Sequence, residues 1–314
     1  MGGDHAPGET VAGAVDAAAR GVDIVLVGDR DQLYPELEKQ ETDLPIVDAS
    51  DVIGMGDDPT RALREKPQAS IAVCARVVAS GEADGFVSAG STGAAMAAAA
   101  ITIGRIQGVT RPAIATIFPT PGTPTLVLDS GANPEVKASQ LAQFAVMGSV
   151  AARALLDADP PRVGLLSIGE EKGKGRDLER AAYDLIAASD VEFVGNVEGR
   201  DVATDKVDVI VTDGFTGNVF LKATEGTASL INSYVMEAVS TLRDDVQAQV
   251  MPALAEVKKK MDWETYGGAQ LLGVKRSALI AHGSSSRRAI TNALIMARDS
   301  AEKDLPGRVA RALS

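Results

Sequence analysis

The chain has 314 residues and a mass of 32.4 kDa, enough to bury a large core. Its 31 basic and 43 acidic residues give a formal charge of −12, which argues against a protein that tracks the phosphate backbone of nucleic acid. The single cysteine, Cys74, excludes an internal disulfide and a site built from several thiolates. No run reaches the roughly 18 apolar residues of a spanning helix. We therefore expect a cytoplasmic protein without metal, cofactor or nucleic-acid partner.

A recurring pattern predicts the strands. Short β-branched or aliphatic runs end in Gly, Asp, Asn or Ser and precede helix-like stretches. The continuous apolar character of these runs predicts strands that are covered on both faces, as in a doubly wound α/β fold with a mostly parallel sheet. We expect one such domain over residues 1–314. The runs lie at 23–28, 84–90, 125–131, 162–169, 192–196, 207–214 and 278–283, with weaker candidates at 45–48 and 113–118.

The first candidate ligand loop follows the run at 84–90 and contains Gly90, Ser91, Thr92 and Gly93. In doubly wound folds, ligands bind beyond the carboxyl ends of strands, where backbone amides are exposed. The loop lacks the G-x-G-x-x-G spacing of a dinucleotide site. It therefore indicates either a cradle for a small anion or a turn in which Ser91 or Thr92 caps a helix.

Two other predicted strand ends carry glycines together with asparagine or aspartate. Their glycines give close backbone access, and an asparagine amide can orient a carbonyl or phosphate oxygen. The alternative is an Asx-type turn without a ligand. The candidate residues are Gly131 and Asn133 in DSGAN, and Asp213, Gly214, Gly217 and Asn218 in DGFTGN.

The loop after the run at 162–169 reads GEEKGKG and holds Lys174 between Gly173 and Gly175. It has three residues before Gly-Lys where a Walker loop has four, and Gly175 replaces the metal-binding Ser or Thr. An ATP site is therefore rejected. A lysine between two glycines can still approach a small anion together with the backbone. The alternative is a solvated charged loop.

The chain has two histidines, and each lies in a glycine-flanked loop. His5 follows Asp4 in GGDHAP, and His282 precedes Gly283 and Ser284 in AHGSS. Their spacing is not that of a metal pair. Each is a candidate for acid–base chemistry, with a purely structural role as the alternative.

Residues 227–266 predict a long helical segment with one apolar stripe. Pro252 interrupts the stripe, which favours a helical pair or a kinked helix projecting from the sheet. We expect the stripe to bury itself against a second subunit or a membrane surface. The stripe consists of Val235, Val239, Leu242, Val246, Val250, Leu254, Val257 and Met261.

Taken in order, nine segments resemble the bacterial phosphate acyltransferase family, PlsX. The resemblance implies a fold similar to that of phosphotransacetylases and of isocitrate and isopropylmalate dehydrogenases. It also implies transfer of a fatty acyl group from acyl carrier protein to inorganic phosphate, for phospholipid synthesis. The segments are MGGDHAP from Met1, SDVIGMGDDP from Ser50, SAGSTGA from Ser88, DSGAN from Asp129, IGEEKGKG from Ile168, GNVEGRD from Gly195, DGFTGNV from Asp213, YGGAQLLGV from Tyr266 and AHGSS from Ala281.

With that reaction in mind, we expect Lys174 and the Gly90–Gly93 loop to hold phosphate, Asn218 to stabilise the oxyanion, and His282 to protonate the leaving thiolate. Gly283 and Ser284 complete the substrate contacts, and Asp4 and His5 are further candidates. The expected partners are acyl carrier protein, a second copy of the chain and the inner face of the membrane. A phosphotransacetylase of short acyl-coenzyme A and a non-catalytic module that binds acyl carrier protein are the alternatives.

An acidic carrier protein requires a local basic surface, in spite of the net negative charge of the chain. The candidate basic patch consists of Lys258, Lys259, Lys260, Lys275, Arg276, Arg287 and Arg288.

Overall fold

The computed structural model describes residues 1–314, and it has an α/β architecture. All nine predicted runs contain a strand. The strands are β1 (Leu26–Gly28), β2 (Ile46–Asp48), β3 (Gly85–Ser88), β4 (Ala113–Phe118), β5 (Thr125–Leu128), β6 (Arg162–Leu166), β7 (Glu192–Val197), β8 (Val209–Val211), β9 (Ala269–Leu272) and β10 (Ser277–Ile280). Only β9 was not predicted, because a four-residue strand that contains Gln270 resembles a polar turn.

Helices separate most of these strands and flank the sheet. They are α1 (Gly8–Ala18), α2 (Arg30–Lys39), α3 (Pro59–Glu65), α4 (Ser70–Ser80), α5 (Thr92–Ala98), α6 (Ala138–Leu155), α7 (Asp177–Ala187), α8 (Gly214–Ser240), α9 (Asp244–Met261), α10 (Arg287–Glu302) and α11 (Leu305–Ala312). The main core lies where α6 packs on β5, β6 and β8, with Phe144 and Met147 fully buried. The prediction of an α/β fold with a mostly parallel sheet is confirmed.

The main sheet has eight strands in the order β3-β10-β9-β4-β5-β8-β6-β7. Four of its seven neighbouring pairs are parallel, and the three antiparallel pairs, β10·β9, β9·β4 and β4·β5, lie between them. β1 and β2 form a separate parallel sheet, and residues of β1 and β3 line an apolar cavity of about 170 Å³. The parallel pairs therefore form separate groups.

The antiparallel pairs reverse the direction of the chain across the main sheet. β3 and β10 run one way, whereas β5, β8, β6 and β7 run the other way. The end of β10 pairs with the start of β9, and the end of β4 pairs with the start of β5. As a result, loops that follow β3 and β10 lie at one edge of the sheet, and loops that follow β5, β6 and β8 lie at the opposite edge.

The predicted helical segment is a pair of helices, α8 and α9. The break falls at residues 241–243, whereas Pro252 lies inside α9. No residue of α9 is buried. Of the predicted stripe, Val239 is buried, and Val246, Val250 and Leu254 are half-buried. None of the helices is long and apolar enough to cross a membrane.

Candidate active site

Three predicted segments meet at the edge of the sheet where β3 and β10 end. The Asp4 N–H donates to the Gly283 carbonyl at 2.7 Å. Gly2 approaches the backbone of Gly90 so closely that a Cβ on Gly2 would lie 2.5 Å from the Gly90 Cα. We call the residues gathered here the histidine group: Asp4, His5, Gly90, Ser91, Thr92, Gly93, His282, Gly283 and Ser284.

His282 is exposed, and its ring is fixed on two sides. Its Nδ1 lies 2.7 Å from the Ser284 Oγ and accepts the Ser284 backbone N–H at 3.3 Å. The Trp263 ring meets the imidazole edge-on, with 5.7 Å between centroids. Because a backbone N–H can only donate, Nδ1 is an acceptor and a neutral ring carries its proton on Nε2. His282 therefore offers Nε2–H as a hydrogen-bond donor.

The Gly90–Gly93 loop leads from β3 into α5. Ser91 is buried, and its Oγ accepts the Ala94 N–H at 3.4 Å, so it caps α5 as the turn interpretation predicted. Gly93 packs against α3, because a Cβ there would lie 2.7 Å from the Pro59 Cγ. Thr92 remains exposed. Of the loop side chains, Thr92 is the one that faces solvent.

The other predicted residues gather at the opposite edge, where β5, β6 and β8 end. We call them the lysine group: Gly131, Asn133, Gly173, Lys174, Gly175, Asp213, Gly214, Gly217 and Asn218. Behind them lies Asp129, which is fully buried and accepts N–H groups from Ile114, Gly131, Ala132 and Asn133. Burial raises the pKa of the Asp129 carboxyl, and these donors oppose the shift because they favour the ionised form.

Asn133, Gly214 and Gly217 join the loop after β5 to the first turn of α8. Asn133 is buried, and its amide donates to the Pro112 carbonyl and to Asp129. Cβ atoms on Gly214 and Gly217 would lie 2.7 Å from the Asn133 N and 2.0 Å from the Asp129 carbonyl oxygen. The two glycines thus permit close packing, and in this structure all three residues hold the loop against the helix.

Arg176, which the sequence did not suggest, connects the lysine loop with α8. Its guanidinium bonds both Glu179 and Asp213, whose carboxylates are buried. Asp213 also caps α8, because it accepts the Thr216 N–H at 2.8 Å. Burial alone would raise the pKa of Asp213, but hydrogen bonds from Thr216 and Arg176 outweigh it and hold that pKa below its usual range. Hydrogen bonds to Glu179 and Asp213 raise the pKa of Arg176.

Lys174, Gly173, Gly131 and Asn218 are the exposed members of the lysine group. Lys174 is exposed and makes no ion pair, whereas Lys172 pairs with Asp184 at 2.6 Å. A Cβ built on Gly131, which has a φ of +144°, would lie 3.6 Å from the Asn218 Oδ1. Gly173 has no neighbour within 4 Å of such an atom. A free ammonium, an open backbone and an amide are thus available to a ligand at this edge.

Within one chain, the structure does not bring the histidine group and the lysine group together. No hydrogen bond or ion pair joins them. β3, which precedes the Gly90–Gly93 loop, and β6, which precedes Lys174, are six strand steps apart in the sheet. The expectation that Lys174 and the Gly90–Gly93 loop hold the same phosphate stays a prediction.

The predicted basic patch is partly neutralised. Arg287 pairs with Asp16 at 2.6 Å, and Arg288 pairs with Asp262 at 2.8 Å. Arg276 lies 3.7 Å from Asp84. Lys258, Lys259 and Lys260 are exposed in the last turn of α9 and make no ion pair. Lys275 is also exposed without an ion pair, so the positive charge that remains lies at Lys275 and in the last turn of α9.

Arg176→Met should destabilise the protein in a pH-dependent way, because it leaves Asp213 and Glu179 buried without their counter-charge. Because water screens the half-exposed guanidinium, we expect the free energy of unfolding at pH 7 to fall by only about 2 kcal/mol. The pKa of Asp213 is lower in the folded protein than in the unfolded chain, where it is about 4. This difference stabilises the fold at pH values above about 4, and the contribution is lost as the pH falls through the folded-state pKa. The difference from wild type should therefore shrink below pH 4 in urea unfolding.

The control is Arg61→Met, since Arg61 pairs only with exposed Glu65, and we expect a change within about 0.5 kcal/mol. A loss for Arg176→Met that is equal at every pH would contradict the ion-pair account.

Known proteins match this chain over nearly its full length. A family described as "Fatty acid synthesis protein" matches residues 1–308. The phosphate acyltransferase of Desulforamulus reducens is 46% identical over 309 residues, which cover 97% of this chain and 93% of that protein. The phosphate acyltransferase of Heliobacterium modesticaldum is 46% identical over 324 residues, covering 98% and 97%.

Two solved structures share the fold at low identity. The EutD phosphotransacetylase from Staphylococcus aureus has a TM-score of 0.59 and 18% identity, covering 93% of this chain and 90% of its own. A phosphotransacetylase from Streptococcus pyogenes has a TM-score of 0.60 and 17% identity, covering 93% and 91%. At this identity they support the fold alone. On the strength of the sequence relatives, the chain belongs to the phosphate acyltransferase family and is an enzyme.

Proposed function

We propose that this enzyme transfers a long-chain fatty acyl group from acyl carrier protein to inorganic phosphate and so makes acyl phosphate for phospholipid synthesis. It works in the cytoplasm, at the inner face of the membrane. The observation that supports phosphate as the acyl acceptor is the unpaired Lys174 ammonium, which lies at the same edge of the sheet as Gly131 and Asn218. An exposed ammonium with backbone and amide donors is suited to a small oxyanion.

The chemistry needs no nucleophile from the protein. An oxygen of the hydrogenphosphate dianion attacks the thioester carbonyl, a C–O bond forms, and the C–S bond breaks. The phosphate proton ends on the thiolate of the carrier, so charge and atoms balance. The protein's part is to position the two reactants and to stabilise the charge that develops on the carbonyl oxygen.

Lys174 holds the phosphate in this proposal, and Asn218 donates its amide N–H to the developing oxyanion. His282 lies at the opposite edge of the sheet, with Nδ1 accepting the Ser284 N–H, and its protonation of the leaving thiolate stays a prediction.

The choice of acyl donor tests this proposal against its nearest alternative. Long-chain acyl carrier protein should support turnover at micromolar concentration, whereas acetyl-coenzyme A should give little product at the same concentration. If acetyl-coenzyme A is the better donor by kcat/KM, the enzyme is a phosphotransacetylase of short acyl groups. If neither donor reacts with phosphate, a binding module replaces the enzyme that we propose.

We propose that the carrier protein docks at Lys258, Lys259 and Lys260, which are exposed and free of ion pairs. Attraction between a lysine cluster and an acidic partner is screened over about 8–10 Å at physiological salt. The KM for acyl carrier protein should therefore rise several-fold from 50 to 500 mM NaCl, and less in a variant with all three lysines changed to Gln. A KM that is independent of salt in both proteins would exclude this surface.

A further inference from the structure

We propose that Arg176 is a positioning residue, whose guanidinium fixes where the Asn218 amide lies relative to the Lys174 ammonium. This inference rests on the proposed function, in which Lys174 holds phosphate and Asn218 donates to the developing oxyanion. The two side chains belong to different segments, because Lys174 lies in the loop between β6 and α7, whereas Asn218 lies in α8. Their relative position therefore depends on what holds that loop against α8.

On one side, Arg176 is bound to the start of α7. Its side chain bonds the buried Glu179 carboxylate, which also accepts the Arg176 backbone N–H at 2.7 Å. Gly175 has a φ of +97°, and a Cβ there would lie 2.8 Å from the Glu179 Cβ. Lys174 comes directly before this tightly packed glycine. The backbone that carries Lys174 is thus held close to the guanidinium.

On the other side, the same guanidinium bonds Asp213 at the start of α8. Asp213 is 2% exposed, and it accepts the Thr216 backbone N–H at 2.8 Å and the Thr216 hydroxyl at 2.9 Å. Asn218 follows Thr216 by two residues in the same helix. Because the backbone hydrogen bonds of a helix join each turn to the next, a displacement of Asp213 also displaces Asn218.

The bridge requires an arginine with a carboxylate on each side. A single nitrogen, Nη2, donates to both Glu179 and Asp213, so the two buried carboxylates lie close together. They would repel each other without a cation between them. A planar guanidinium bonds carboxylates in a fixed geometry, whereas an ammonium is a point charge. Asp213 is buried and cannot itself contact a ligand, so the bridge acts on the reaction through Asn218 and Lys174.

Arg176→Met should lower kcat by about 100-fold, because a displacement of about 1 Å in a reacting site has an effect of that size. The KM for phosphate should stay within about threefold of wild type, since Lys174 is still present to bind it. Partial unfolding would instead lower kcat only in proportion to the folded fraction. Circular dichroism at the assay temperature measures that fraction, so the two causes are separated.

Double variants show whether Arg176 acts through Lys174 and Asn218. In an Asn218→Ala or a Lys174→Ala background, one of the two groups is already missing, so their relative position no longer matters. Adding Arg176→Met should then lower kcat by less than about threefold. Arg61→Met is the control, because Arg61 pairs only with exposed Glu65, and it should leave kcat unchanged in every background. A further loss of about 100-fold in both backgrounds, with the protein folded, would overturn the inference.

Arg176→Lys keeps the test valid if Arg176→Met does not fold. The lysine supplies the missing counter-charge, so the variant should be folded, but it lacks the planar fork, and kcat should still fall by about 10-fold. A folded Arg176→Lys enzyme with the wild-type kcat would overturn the inference. Wild type without phosphate-dependent turnover would count against the proposed function itself. An active wild type with an undiminished loss in both double variants counts against the inference alone.

Discussion

Lys174→Ala should lower turnover by about 100-fold and raise the KM for phosphate, without unfolding the protein. Lys174 is exposed, makes no ion pair and follows Gly173, which leaves open space beside it. Removing one preorganised charged donor from a site of charge development costs about two to three orders of magnitude in rate. The measurement is initial rate against phosphate concentration at saturating acyl carrier protein.

Lys172→Ala is the matched control, two residues away in the same loop. Lys172 pairs with Asp184 at 2.6 Å and lies over the Tyr183 ring at 5.3 Å, with both charged side chains exposed. An exposed ion pair contributes little to stability, so phosphate kinetics should remain within about twofold of wild type. If both variants keep wild-type phosphate kinetics, Lys174 is a solvated loop charge and the phosphate site lies elsewhere.

Gly217→Ala should have the largest effect on stability. The added Cβ would lie 2.0 Å from the Asp129 carbonyl oxygen and 3.0 Å from the Thr212 Cγ2, so α8 has to move away from the loop after β5. Such overpacking costs about 3 kcal/mol, which lowers the Tm by roughly 5 °C in a protein of this size. Asn218 moves with the helix, so turnover should fall even where the variant is fully folded.

Gly226→Ala is the control, because Gly226 lies in the same helix as Gly217 but has different surroundings. No atom lies within 4 Å of a Cβ at Gly226, and alanine favours a helix over glycine by about 1 kcal/mol. The control should therefore be slightly stabilised and fully active in calorimetry and turnover. Equal Tm values for the two variants would contradict the close contact between Gly217 and Asp129.

Most of the fold could be predicted from the sequence because its strands are continuous apolar runs that end at glycine or a short polar residue. β9 was missed because Ala269–Leu272 is short and contains Gln270, which is buried beside β10. The break in the hairpin was misplaced for a related reason. Pro252 is tolerated inside α9, whose surface is solvated, so local propensity alone did not locate the turn at 241–243.

The candidate site was less predictable, since strand direction is a property of the whole sheet. The sequence indicated which loops carry polar residues, but not that β10 and β6 run in opposite directions. Nor did it distinguish glycines that serve packing, such as Gly214 and Gly217, from those that leave space, such as Gly131. Arg176 was missed although it follows the lysine loop and precedes Glu179 by three residues, a spacing that permits an ion pair on a helix.

The most direct test of the account is the fate of labelled phosphate. The enzyme is incubated with long-chain acyl carrier protein and ³²P-phosphate, and the products are extracted into organic solvent. We expect label in an organic-soluble, acid-labile acyl phosphate, formed in proportion to free carrier thiol and nearly absent with Lys174→Ala. Release of carrier thiol without any organic-soluble label would show that phosphate is not the acyl acceptor and would contradict the account.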